Sequence, residues 1–353
     1  MKLGDICKIK YGKDHKKLND GSVPVYGSGG VMRHVDAVLW NKPSVLIPRK
    51  GTLGNLFYVD EPFWTVDTLF WTDIDAAQVV PKYLFYQLII KDLASLNVGT
   101  AVPSLTTEVL NEVQIDLPSL EKQKQIVEVL GCIDAKIDAN AKLNGYLEEQ
   151  CEAVANHEKG FAVELSTLCG LVKEKADYNE ADFDTYVSTE SLLPGKKGRQ
   201  APSSLPQTGK VTVYKAGDIL VSNIRPYFKK IWYADRTGTC SGDVLVFRAK
   251  QPEQSGYLYS CMRSDAFFDC VMKGAKGTKM PRGDKKQMLT YKVASNPSGA
   301  TVDFIESALS QASSSSKENH RLAALRDNLL PKLMSGEIDV SKVDLKQLNS
   351  HLA

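Results

Sequence analysis

The chain has 353 residues, 44 Lys and Arg against 42 Asp and Glu, a net charge of +2, and 43% hydrophobic and 24% charged residues. This length suits about two domains of ordinary soluble composition, and with no whole-chain basic excess any nucleic-acid surface must arise by local clustering. No apolar run reaches the roughly 18 residues of a membrane span, and MKLGDICKIKYGK lacks the apolar core of a secretory signal. Seven cysteines without CxxC pairs read as reduced thiols in a cytoplasmic protein.

Residues 1–117 carry short β-like runs broken by Gly, Pro and Asp; Val45–Ile47, Leu56–Val59 and Thr65–Thr72 are predicted strands. Helical spacing marks Pro81–Asp92, and Val113–Leu117 reads as a short strand. The turns hold the polar chemistry. Lys10, Lys13, His15, Lys16 and Lys17 form a basic cluster, Tyr26–Gly30 is a Gly-rich loop, and Pro48–Gly54 places cations and glycines directly after a strand. Neither glycine loop ends in Gly-Lys-Ser/Thr, and Gly27–Gly30 lacks the third glycine and following helix of a dinucleotide fingerprint. Arg49, Lys50 and Thr52 instead suit contact with a sugar-phosphate chain; the alternative is a solvated loop.

The stretch 118–158 predicts one long helix, opened by Pro118 in the first turn. Its apolar residues recur at Ile126, Leu130, Ile133 and Ile137, and the register continues through Asn140, Asn144, Leu147 and Cys151. Such a heptad seam needs a partner helix, and buried Asn can fix its register. A helix of roughly 40 residues is about 60 Å long.

Residues 159–297 form a second block with strand-like runs at Val211–Tyr214, Asp218–Val221, Lys230–Tyr233 and Val244–Phe247. Here cations interleave with aromatics and glycines. Arg225, Tyr227 and Lys229 lie in one run, and Lys276, Gly277, Thr278, Lys279 and Arg282 in another. Cations for phosphates, and side chains able to reach base edges, are what DNA contact requires. A second long helix is expected over 298–335, with Leu322, Leu325, Leu329 and Leu333 at helical spacing, Ser313–Ser316 as a weak point, and Gly336 as its stop; residues 336–353 are a tail.

The two halves share ordered landmarks. Leu3, Ile6, Cys7 and Ile9 correspond to Leu165, Leu168, Cys169 and Leu171; Arg49 to Arg225; Asp67 to Asp243; Tyr83-Leu84 to Tyr257-Leu258; and Gly99, Thr100 and Pro103 to Gly277, Thr278 and Pro281. An insertion near Pro194–Gln207 distinguishes the second copy. Gly99 and Gly277 would shape equivalent loops, with Thr100 joining the candidate DNA contacts. Asp67 and Asp243 read as turn or loop residues.

Catalytic and metal motifs are missing. There is no Asn/Asp-Pro-Pro-aromatic run for base methylation, no GxSxG, and His15, His34, His157, His320 and His351 lack metal-ligand spacing. This favours a binding module over an enzyme. A free-standing DNA-binding protein, or an enzyme with a site between the domains, stays open on the residues alone.

LPSLEKQKQIV at Leu117–Val127 with Ile133-Asp134, and LRDNLLPKLMSGEI at Leu325–Ile338, resemble the spacer motifs of type I restriction–modification specificity subunits. The resemblance implies a mixed α/β fold: target-recognition domains at 1–117 and 159–297, alternating with two long helices. Because the first helix leads from one domain to the other and the second must lead back, the two would pair as an antiparallel coiled coil. It also implies a non-catalytic, DNA-binding subunit. Each domain would read one half of a bipartite duplex site, and the helices would set the spacer and dock two modification (methyltransferase) subunits, with restriction subunits in the full complex. S-adenosylmethionine, ATP and Mg are expected on those partners and none on this chain.

Overall fold

The computed structural model describes residues 1–99 and 102–343. It divides into two compact units, residues 1–137 with 320–353, and residues 138–319. In the first unit, helix α1 (Leu3–Ile6) leads into strand β1 (Cys7–Tyr11), followed by β2 (Val23–Gly27), β3 (Gly30–Val35), β4 (Ser44–Pro48), β5 (Phe57–Val59), β6 (Trp64–Thr65) and β7 (Leu69–Ile74). The main sheet is antiparallel in the order β1-β7-β4-β5, with β3-β2-β6 as a smaller sheet. All five residues of β4 are buried; after Ser44, which is hydrogen-bonded to Thr72, this central strand is a continuous apolar run rather than an alternating one. The expected strand Thr65–Thr72 is interrupted: a turn closed by Leu69 N–H donating to Val66 O separates β6 from β7.

Helix α2 (Pro81–Ile89) buries Tyr83, Leu84 and Leu88, and starts with Pro at its first position, where a missing N–H is harmless. Helix α3 (Thr107–Asn111) is capped by the Thr106 hydroxyl. Val113–Leu117, expected as a strand, is not one; its Val113 O and Ile115 N–H bond to Leu3 and Met1 while Ile115 is buried. Helix α4 (Leu120–His157) then begins. In this unit Ile126, Val129 and Leu130 of α4 join the core with Leu3, Phe70 and Tyr83, and with Leu330 and Leu333 of the last helix. Beyond that helix, Val340 is buried and Ile338 and Val343 pack on the same core, so this part of the tail closes the unit.

The second unit repeats the element order. After β8 (Ala162–Glu164), α5 (Leu165–Leu168) leads into β9 (Cys169–Leu171), β10 (Lys175–Asp177), β11 (Lys210–Tyr214), β12 (Ile219–Ser222), β13 (Ile231–Tyr233), β14 (Gly238–Cys240) and β15 (Val244–Ala249). Its main sheet runs β9-β15-β12-β13, the same antiparallel order with β9 in the place of β1. Helices α6 (Ser255–Met262), α7 (Asp265–Lys273) and α8 (Lys285–Leu289), then β16 (Lys292–Ala294), lead to the long helix α9 (Gly299–Ser335). Tyr83 of α2 donates its hydroxyl to Asp116 O at 3.0 Å, and Tyr257 of α6 donates to Ala294 O at 3.1 Å, so each short helix is pinned to the strand-like segment ahead of a long helix.

The long helices pair antiparallel within each unit. In the first, Arg326 of α9 bonds Asp134 of α4 at 3.2 Å. In the second, Asn140 Nδ2 donates to Glu318 at 2.7 Å and to Asn319 at 2.9 Å, Asn144 Nδ2 donates to Ser316 at 3.0 Å, and Glu158 accepts from Thr301. Along the seam Ile126, Leu130, Ile133 and Leu322 are buried, whereas Ile137, Leu147 and Leu329 are half-buried. Leu325 departs from expectation: it is 44% exposed, because the buried stripe of α9 runs through Leu322, Leu330 and Leu333 with Arg326 facing Asp134. Ser313–Ser316 remains helical: Ser316 accepts from Asn144 of α4, and Ser315 accepts from Gln311 of its own helix. Among the described residues no helix is long and apolar enough to cross a membrane.

Candidate nucleic-acid interface

Turns and glycine loops far apart in sequence meet in pairs, and in the second unit both members carry cations. In the first unit β4 ends at Pro48, and the backbone turns through Arg49, Lys50 and Gly51. Gly51 N–H donates to Pro103 O at 3.0 Å, and Leu105 N–H donates to Arg49 O at 2.9 Å. This fastens the Arg49–Thr52 turn to the loop containing Gly99. That loop is held by Asn97, whose side-chain oxygen accepts from the N–H groups of Gly99 and Ser104, both at 2.8 Å. A Cβ on Gly99 would sit 2.1 Å from Val102 O, so only glycine fits.

The second unit builds the same junction. Arg225 N–H donates to Pro281 O at 2.8 Å, and Gly283 N–H donates to Asn223 O at 3.2 Å. Lys276 and Arg282 exchange both backbone hydrogen bonds at 2.9 Å, closing a small ribbon across Gly277, whose φ is +102°. These bonds correct the alignment of landmarks. Arg225 stands where the first unit has Gly51, and Asn223 where it has Arg49; Gly51 and Arg225 share positive φ, +93° and +49°. The match of arginine to arginine is therefore two residues out of register.

Similarity to known proteins agrees with this geometry. Residues 1–149 match the family described as type I restriction modification DNA specificity domain. The specificity subunit of the type I restriction enzyme EcoDI from Escherichia coli is 20% identical over 96% of this chain and 88% of its own length. A putative type I specificity subunit N-terminus from Mycoplasma pneumoniae is 28% identical over 36% of this chain and 74% of its own length. In fold, the crystal structure of a type I restriction–modification S subunit from M. genitalium matches with a TM-score of 0.54 at 15% identity, covering 94% of this chain and 95% of that one. Together these similarities support a type I restriction–modification specificity subunit, most directly over residues 1–149.

The candidate contact residues differ in how their charge is engaged. Lys50, Arg225, Lys276 and Lys279 are exposed, with no side-chain hydrogen bond or ion pair among the described residues. Thr52, Gly277 and Thr278 are exposed beside them, and Tyr227 is 48% exposed. Arg49 is half-buried; its guanidinium lies 5.5 Å from the centre of the Tyr11 ring and donates to Asp67 O at 3.1 Å. Arg282 pairs with Asp243 at 3.1 Å, and Lys229 with Asp265 at 3.0 Å. Hydrogen bonds from Lys196 and Lys229 hold the Asp265 carboxyl below the usual carboxylate value. Asp67 and Asp243 thus anchor arginines at the two junctions. Thr100 lies outside the described residues.

Tyr11, Asn97 and Val102 were not singled out from sequence. Tyr11 is 52% exposed at the end of β1 and carries Arg49 on its ring. Val102 and Met280 are exposed just ahead of the two equivalent prolines, Pro103 and Pro281. An aromatic set within the basic cluster, between Lys10 and Lys13, is the one signal the sequence offers for Tyr11. Asn97 gave none, because its role depends on a loop closing on itself. Among the described residues no cluster of His, Cys, Asp and Glu could hold a metal ion.

Proposed function

We propose that this chain is the sequence-specificity subunit of a type I restriction–modification complex, each unit reading one half of a bipartite duplex target. The observation that carries this reading is the repeated junction, in which a turn after the central strand is hydrogen-bonded to a glycine loop, with an exposed cation on the turn in each unit (Lys50, Arg225) and further cations on the loop of the second. Cations fix the backbone phosphates, while Tyr227, Thr278 and neighbouring side chains on a stiffened loop reach base edges. Each unit carries one such surface, as a target made of two half-sites requires. The paired helices α4 and α9 would set the unread spacer and dock two modification subunits, with restriction subunits added in the full complex. The partners would carry S-adenosylmethionine for adenine methylation, and ATP with Mg for translocation and cleavage; this chain would position them and make no bond itself.

The test is co-purification with a modification subunit encoded alongside, followed by sequencing of methylated bases in cells carrying both. A bipartite adenine-methylated motif that vanishes when this chain is deleted supports the reading. Methylation unaffected by its deletion overturns it.

A further inference from the structure

We infer that Lys196 is a positioning residue for the Arg225–Lys229 turn, and that through it helix α4 sets how the second unit meets its half-site. The inference rests on the function proposed above. The turn is strained: Arg225 and Lys229 both adopt left-handed backbone, with φ of +49° and +51°, although neither is glycine. Such conformations persist only where the surroundings over-determine them. Here the surroundings are the Gly195–Lys196 segment, within the insertion that distinguishes the second unit. Gly195 N–H donates to Phe228 O at 2.8 Å, and Lys196 N–H donates to Lys229 O at 2.9 Å. Lys196 is itself left-handed, with φ of +64°.

The Lys196 ammonium, 15% exposed, is held by both oxygens of Glu152 on α4 at 3.2 Å and by Asp265 at 2.9 Å, and Asp265 also takes Lys229. From below, the Arg263 guanidinium donates to Lys196 O at 3.0 Å and to Glu148 on α4 at 2.9 Å. Lys196, Lys229 and Arg263 are matched by Glu148, Glu152 and Asp265, so this network has no surplus charge for phosphate. Its chemistry is that of a clamp: charge-assisted bonds run from two turns of α4, through Lys196 and Asp265, to the Lys229 end of a DNA-facing turn. The first unit reaches the same bend with glycine at position 51 and has no corresponding ion-paired lysine among its described residues.

The test uses the complex of this chain with its modification subunits. K196A, K196R and E152Q are compared with wild type by competition between duplexes altered in one half-site at a time, with thermal melting alongside. K196A is expected to lose about tenfold in preference for the cognate second half-site and to keep its preference at the first. K196R, which retains the charge, restores most of the loss, and E152Q, which keeps the shape, gives a smaller loss at the same half-site. Wild-type selectivity in K196A and E152Q overturns the inference. So does equal loss at both half-sites with a lowered melting temperature, the mark of a purely structural residue. A wild-type complex that methylates no bipartite motif would instead overturn the function on which the inference rests.

Discussion

At Gly51 and Arg225 two different residues solve one geometric problem, a left-handed bend just after a buried strand. Glycine does so without strain and leaves Lys50 to carry the charge; arginine combines bend and charge, and its turn is clamped. The exposed cations divide accordingly. Each phosphate contact contributes about 0.9 to the slope of log K against log salt. Replacing Lys276 and Lys279 together by Ala is therefore expected to flatten the slope by roughly 2, measured by duplex binding across a salt series. Replacing Arg282 should flatten it less, because Asp243 already offsets its charge. Acid provides a second check. The Asp265 carboxyl is lowered in the folded chain, so its contribution is present above the ordinary value of 3.8 and is lost as pH falls through the lower folded value. Amide exchange at Lys229 should accelerate across that window, and in D265N it should already be fast at neutral pH.

At the scale of elements, the heptad pattern identified α4 and named most of its buried face, but the partner face of α9 was placed one step off. Leu322 is buried and Leu325 exposed, while Leu330, outside the expected seam, is 3% exposed. A strict heptad assumes that only a partner helix covers the seam. Here the α9 stripe must also meet the core of the first unit, which widens and rotates it. Leu130→Ala is expected to cost roughly 2–5 kcal/mol of stability, and Leu325→Ala within about 0.5 kcal/mol of nothing, measured by denaturant unfolding. The Asn140 and Asn144 layer costs stability relative to Leu but gives the antiparallel pair a single register, since a slip would leave their amides buried without Glu318, Asn319 and Ser316.

For the molecule as a whole, the absence of a CxxC pair has a measurable consequence. Cys7, Cys240 and Cys261 are pushed up to about 12, and Cys151 and Cys169 to about 11, all chiefly by burial. Thiolate, not thiol, is the nucleophile, so these five should resist a disulfide reagent at neutral pH until the chain unfolds. Cys132 and Cys270 are only half-buried and should supply the native reaction. Rapid native modification of Cys7 or Cys240, mapped by mass spectrometry, would contradict the packing of the respective units.

The sequence by itself determined the class of the molecule: two blocks of short strands, each followed by a long helix, with spacer motifs specific enough to name the family. These features are local, since heptads, turn glycines and strand runs are written in neighbouring residues. Tertiary structure alone decided which loops meet. Nothing adjacent to Arg49 or Arg225 announces that Pro103 and Pro281 will accept backbone hydrogen bonds beside them, because those bonds close through a sheet and two helices. Nor could residue identity align the halves correctly. Backbone φ, not side-chain type, made Arg225 the counterpart of Gly51, and long-range ion pairing decided that Lys229 and Arg282 are partly neutralised while Lys276 and Lys279 stand exposed.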